Sequence, residues 1–187
     1  KEIFETASKK MSENLNITLH TSHELANIVA QVGAFKDRTN ELNSEIVDEI
    51  VYDLFVALQL SVSGLYRHSF ISSRCALELG VASLKFKDNN FSYLLWKQKG
   101  KDIVWSELSK DEFCVLSSNY LELFLPKGNF TKVIEMAKIS YRECSEYVHG
   151  NYNKLILLSD NLDYNEENVD RYIGIFVCSI NKGFHIF

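Results

Sequence analysis

The chain has 187 residues, 46% of them hydrophobic and 24% charged, with a net charge of −5. This composition excludes a disordered tail and is that of one globular, core-forming domain spanning residues 1–187. With one proline and eight glycines there is too little turn punctuation for a sandwich or barrel, so an all-α bundle is expected.

Other classes fall away on similar grounds. The uncharged run Leu54 to Tyr66 spans 13 residues, short of the roughly 20 a bilayer-crossing helix requires, so no membrane role is expected. The acidic balance repels polyanions, which argues against duplex DNA as a partner and confines any nucleic-acid role to a local basic site. Cys75, Cys114, Cys144 and Cys178 lie 30 to 39 residues apart with no C-x-x-C pair, and read as reduced core thiols of a cytoplasmic protein. The opening residues carry acidic side chains and no apolar core of a secretory signal, and the start at Lys1 without Met points to a piece of a longer protein.

In chain order, Ile3, Phe4, Ala7, Met11 and Leu15 follow helical spacing, and a second helix from Ser22 carries Leu25, Ile28, Val29, Val32 and Phe35. A third begins near Ser44 with Ile46, Val47, Ile50, Val51, Leu54, Phe55 and Leu58, and Ser61, Ser63 and Gly64 end or bend it. Leu65 to Lys87 is predicted to be a long central helix. Asp88, Asn89 and Asn90 break it, and Phe91 to Trp96 reads as a short helical connector. Ser109 to Glu112 matches a capping box that opens a helix through Phe124, which Pro126 and Gly128 terminate. A helix from Asn129 or Thr131 stops at Gly150, and a last one covers about Glu166 to Gly183. The expectation is six or seven helices without internal repeats.

One constellation carries chemistry. In Tyr141-Arg-Glu-Cys-Ser-Glu-Tyr-Val-His-Gly150, Arg142 and His149 are seven residues apart, so both leave one helix face about 10 Å apart along the axis. A guanidinium grips a phosphate and keeps its charge, while an imidazole moves a proton near neutral pH. RNA transesterification needs both functions: activating a 2′-hydroxyl and stabilising the charge on the phosphorane. Ser145 and Glu146, on the same face, are the candidates to orient the pair.

With Arg142, six intervening residues and His149, the chain resembles the HEPN superfamily, all-α domains whose ribonuclease members carry Arg, four to six residues, then His. The resemblance implies a HEPN-like bundle and a homodimer in which two motif helices face each other across a composite cleft. It implies metal- and cofactor-independent cleavage of RNA, tRNA among the candidate substrates, leaving a 2′,3′-cyclic phosphate. Such domains act as toxins or in phage defence and stress response, which brings in an antitoxin or partner domain. Two departures stand in this chain. Glu143 follows the Arg where active members often have Asn, Asp or His, and Asn151 occupies the place of the tyrosine that some antitoxins modify.

A second reading stays open at this point. Arg142 and Glu146 are four apart and suit a plain intrahelical ion pair, and His149 suits a helix C-terminus on its own account. The domain is then a non-catalytic HEPN-like dimerisation or sensor module of a larger defence or regulatory protein. Arg74 and Glu78, also four apart, form either a buried bridge or a second wall of the cleft, the bridge being favoured. Arg67 and Arg74 share a face and are candidate RNA backbone contacts, as are Lys97, Lys99 and Lys101 around Gly100, although a solvated loop explains those lysines as well. His20 and His23 lack a third ligand at usual spacing, so no metal is expected. The 12 Phe, 9 Tyr and 2 Trp follow the helical stripes into the core, with Trp105 marked as a stacking or interface residue.

Overall fold

The computed structural model describes residues 44–124 and 130–152. Among these residues the fold is all-α, with six helices and no strand: α1 (Ser44–Val62), α2 (Tyr66–Asp88), α3 (Asn90–Lys99), α4 (Trp105–Ser109), α5 (Ser118–Phe124) and α6 (Phe130–Val148). The helices expected before Ser44 and after Glu166, Cys178, His20, His23, Pro126 and Gly128 lie outside the described residues.

α1 buries Ile46, Val47, Ile50, Leu54, Ala57, Leu58 and Ser61, a stripe recurring every three to four residues. It ends where Gly64 takes a φ of 75°, a conformation in which a Cβ would clash. The Leu65 amide returns to Leu60 O at 2.8 Å, closing the chain back into α2. Small residues let the two helices come close: fully buried Ser69 donates its hydroxyl to Ala57 O across the interface at 2.7 Å.

α2 is the central helix, with Tyr66, Phe70, Ala76, Leu79, Val81, Ala82 and Phe86 all buried. On its other side lies α6, whose Ile134, Ala137, Ser140, Cys144 and Tyr147 are buried on the 3.6-residue period. The Phe70 and Tyr147 rings stack at 4.1 Å and 4°, and four residues further along α2 Arg74 reaches Tyr141, six residues back along α6. Advancing on one helix while retreating on the other makes the pair antiparallel. α6 ends as expected: Gly150 has a φ of 68°, and the Asn151 amide donates to Glu146 O at 3.0 Å.

Four expectations need correction. The aromatics do not all follow the stripes inward: Phe55, placed in the α1 stripe, is exposed, as are Tyr52, Phe91, Phe113 and Tyr152, because their positions fall on the solvent side of the elements that carry them. Residues 90–99 form a full helix rather than a short connector, because Asn89 caps it by accepting from the Ser92 amide at 3.0 Å and Gly100, at a φ of 64°, closes it. Ser109 does not open a helix. Its hydroxyl is taken by Trp105 O within α4, Asp111 accepts from the Phe113 amide in a turn, and Ser117 caps α5 by accepting from the Tyr120 amide at 3.1 Å. Cys75 is an exposed thiol rather than a core one, whereas Cys114 and Cys144 are buried. No helix among the described residues is long and apolar enough to cross a membrane.

Candidate functional site

α6 presents Arg142 on its exposed side, and His149, the residue directly after its last turn, is exposed as well. At about 100° per residue, starting from Tyr141 at the margin of the buried face, Ser145 lies about 40° round, His149 about 80° and Arg142 about 100°. The His149 amide still donates to Ser145 O at 3.0 Å, so the helical register holds through the motif. Arg142 pairs with no described residue. The intrahelical ion pair with Glu146 is not made, since that carboxylate instead accepts a hydrogen bond from Asn151 Nδ2. Glu143, half-buried, stands about another 100° round, turned away from His149.

Neither expected orienting residue touches the pair. Ser145 Oγ donates to Tyr141 O one turn back at 2.6 Å, an ordinary use of a helical serine.

The residue before the motif is where the tertiary structure converges. The Tyr141 hydroxyl accepts from Arg74 Nη2 at 2.7 Å, and the same Nη2 reaches Glu78 Oε1 at 3.2 Å. The bridge expected between Arg74 and Glu78 is therefore present, with both side chains about four-fifths buried at 18% and 21% exposure. Arg74 Cζ also lies 4.7 Å from the Tyr141 ring centre, and Trp105 stacks on that ring at 3.9 Å and 3°. Burial, followed by the charge of Glu78, raises the Tyr141 pKa above its ordinary value while Arg74 opposes them, so the phenol stays protonated and can donate. Arg74 Nε is buried with no partner among the described residues. In the sequence Tyr141 is the aromatic that precedes Arg142, on the apolar side of its helix; its pairing with Arg74, 67 residues away, leaves no local signal.

The other candidates separate. Arg67 is exposed on α2, as are Lys99 and Lys101 around Gly100. Lys97 is not a free cation: it pairs with Glu45 Oε2 and donates to the Tyr93 hydroxyl at 3.2 Å, and the Glu45 hydrogen bond raises its pKa. Glu107 draws Lys85 to 2.7 Å and Lys101 to 4.0 Å, and the Lys85 hydrogen bond holds its carboxyl below the usual range. Among the described residues, no group of three or more His, Cys, Asp or Glu side chains is placed to hold a metal ion. Burial, ahead of the Glu143 charge, pushes the Cys144 thiol up to about 12, which makes it inert as a nucleophile. Neither a protein-family model, a curated protein nor a solved structure matches the chain.

Proposed function

We propose that the protein is a HEPN-like, metal-independent endoribonuclease that acts as a homodimer, in the setting of toxin–antitoxin, phage-defence or stress-response systems. The observation that carries this reading is the shared exposed flank of α6, on which Arg142 and His149 stand with neither buried against the core. With no partner among the described residues, Arg142 keeps its donors for a scissile phosphate. His149 serves as the acid/base residue: the neutral imidazole takes the proton of a ribose 2′-hydroxyl, whose oxygen attacks the adjacent phosphorus as the P–O5′ bond breaks, and the imidazolium returns a proton to the departing 5′-oxygen. The products are a 2′,3′-cyclic phosphate and a 5′-hydroxyl. Arg142 stabilises the charge on the phosphorane. Ile139, 51% exposed on the same outward side, supports placing a second copy against this helix.

That apolar residue also favours the second reading, a non-catalytic dimerisation or sensor module of a larger defence or regulatory protein. The test compares wild type with His149→Ala on end-labelled tRNA and total RNA in EDTA. Cleavage leaving cyclic phosphate ends, lost in the variant, supports the nuclease. Equal absence of cleavage in folded, dimeric protein refutes it in favour of the interaction module.

A further inference from the structure

α2 and α6 run antiparallel, pinned at two levels by the Phe70–Tyr147 stack and the Arg74–Tyr141 hydrogen bond. Two antiparallel helices leave a furrow on each side of their contact line. The Arg74–Tyr141 bond lies on one of these sides, and on α6 that is the side to which Ser145, His149 and Arg142 belong. Lys138, about 60° round from Tyr141 and exposed, belongs to it as well.

On α2 the same side carries Arg67, seven residues and so about 20° from Arg74. The antiparallel register puts Arg67 level with the His149 end of α6 and Arg74 level with Arg142. The furrow thus has Arg67 and Arg74 along one wall and Lys138, Arg142 and His149 along the other, and Trp105 of α4, stacked on Tyr141, bounds it beyond the Arg74 level. Glu78, Glu135 and Glu146 are its acidic members: Glu78 is spent on Arg74 and Glu146 on Asn151, while Glu135 stands exposed seven residues before Arg142, at the far end of the α6 wall. Arg67 and Lys138 are exposed and pair with no described residue. Arg74 gives Nη2 to Tyr141 and Glu78, and its Nη1 donors have no partner among the described residues.

We infer that the α2–α6 furrow is a track for the backbone of single-stranded RNA, with Arg67, Arg74 and Lys138 holding phosphates on either side of the one at Arg142. This rests on the nuclease reading above and extends it: α2 of the same subunit supplies a binding wall beside the motif helix. Glu78 and Tyr141 act here as positioning residues that hold the Arg74 guanidinium at the furrow floor. Spacing along the two walls selects an extended strand, because cations here follow the helix axes rather than converging on one point.

The test uses the full chain carrying His149→Ala, so that RNA is bound without being cut, and a fluorescent single-stranded RNA of about 12 nucleotides. Binding is followed by anisotropy across a salt series. Arg67→Gln and Lys138→Gln, both at exposed positions where folding is unaffected, are expected to weaken binding several-fold. Each is also expected to reduce the slope of log affinity against log salt by about 0.7. Arg74→Gln should do the same and Arg74→Lys should recover part of the loss, while Lys87→Gln, outside the furrow, leaves affinity unchanged. Unchanged affinity and slope in Arg67→Gln and Lys138→Gln, or no RNA binding at all, overturns the track. Binding with the expected dependence by a wild-type protein that never cleaves keeps the track and removes the nuclease. Cleavage that depends on His149 but is indifferent to Arg67 and Lys138 does the reverse.

Discussion

Replacing Tyr147 tests the packing that sets the α2–α6 register. Its side chain is 1% exposed and stacks on Phe70, itself 2% exposed, at 4.1 Å. Truncation to Ala removes a large buried ring and leaves a cavity between two long helices that cannot easily collapse, a change that costs about 3–5 kcal/mol. Against a typical domain stability of about 5–15 kcal/mol this is a fifth or more of the total, and it lowers the melting temperature by about 6–20 °C. The share due to the stacked geometry is isolated by a double-mutant cycle with Phe70→Leu and Tyr147→Leu, for which a coupling of about 0.5–1.5 kcal/mol is expected. Urea unfolding followed by circular dichroism reads both quantities. A loss below about 1 kcal/mol for Tyr147→Ala, or zero coupling in the cycle, refutes the stack as the element that holds α6 against α2.

Two further substitutions address other parts of the fold. The folded Cys144 thiol keeps its proton up to about 12 against an ordinary value of 9.0, so its contribution is complete below pH 9 and is lost as pH rises from 9 towards 12. The span corresponds to about 4 kcal/mol at most. Wild type should therefore lose more stability over that range than Cys144→Ala in paired urea titrations, and parallel curves would contradict the burial argument. Gly100 sits at a φ of 64° with open space where a Cβ would go, so Gly100→Ala meets backbone strain alone and should cost about 1–2 kcal/mol by thermal melting.

Much of this architecture is legible along the chain because a helix writes its packing into a local period. Ile46 to Leu58 on α1 and Ile134 to Tyr147 on α6 repeat every three to four residues, and Gly64, Gly100 and Gly150 punctuate where only positive φ closes a turn. Legibility fails where local signals compete. Ser109 to Glu112 satisfies the pattern of a capping box, but the Ser109 hydroxyl is already engaged by Trp105 O, so the capping role passes to Ser117. α3 buries little beyond Tyr93, and a helix with so narrow an apolar stripe leaves a weak period to read.

The candidate site divides in the same way. Sequence spacing by itself determined that Arg142 and His149 share a helix face, and likewise Arg67 and Arg74, because seven residues are close to two turns of any α-helix. It also determined that the described residues fold as an all-α domain and that Arg74 and Glu78 are within reach of each other. Only the tertiary structure decided that Arg74 is tied to the residue preceding the motif and that Trp105 stacks on that same residue. The reason is physical. Periodicity fixes each helix about its own axis, while the register between α2 and α6 comes from the packing of Phe70 on Tyr147, residues 77 apart in the chain.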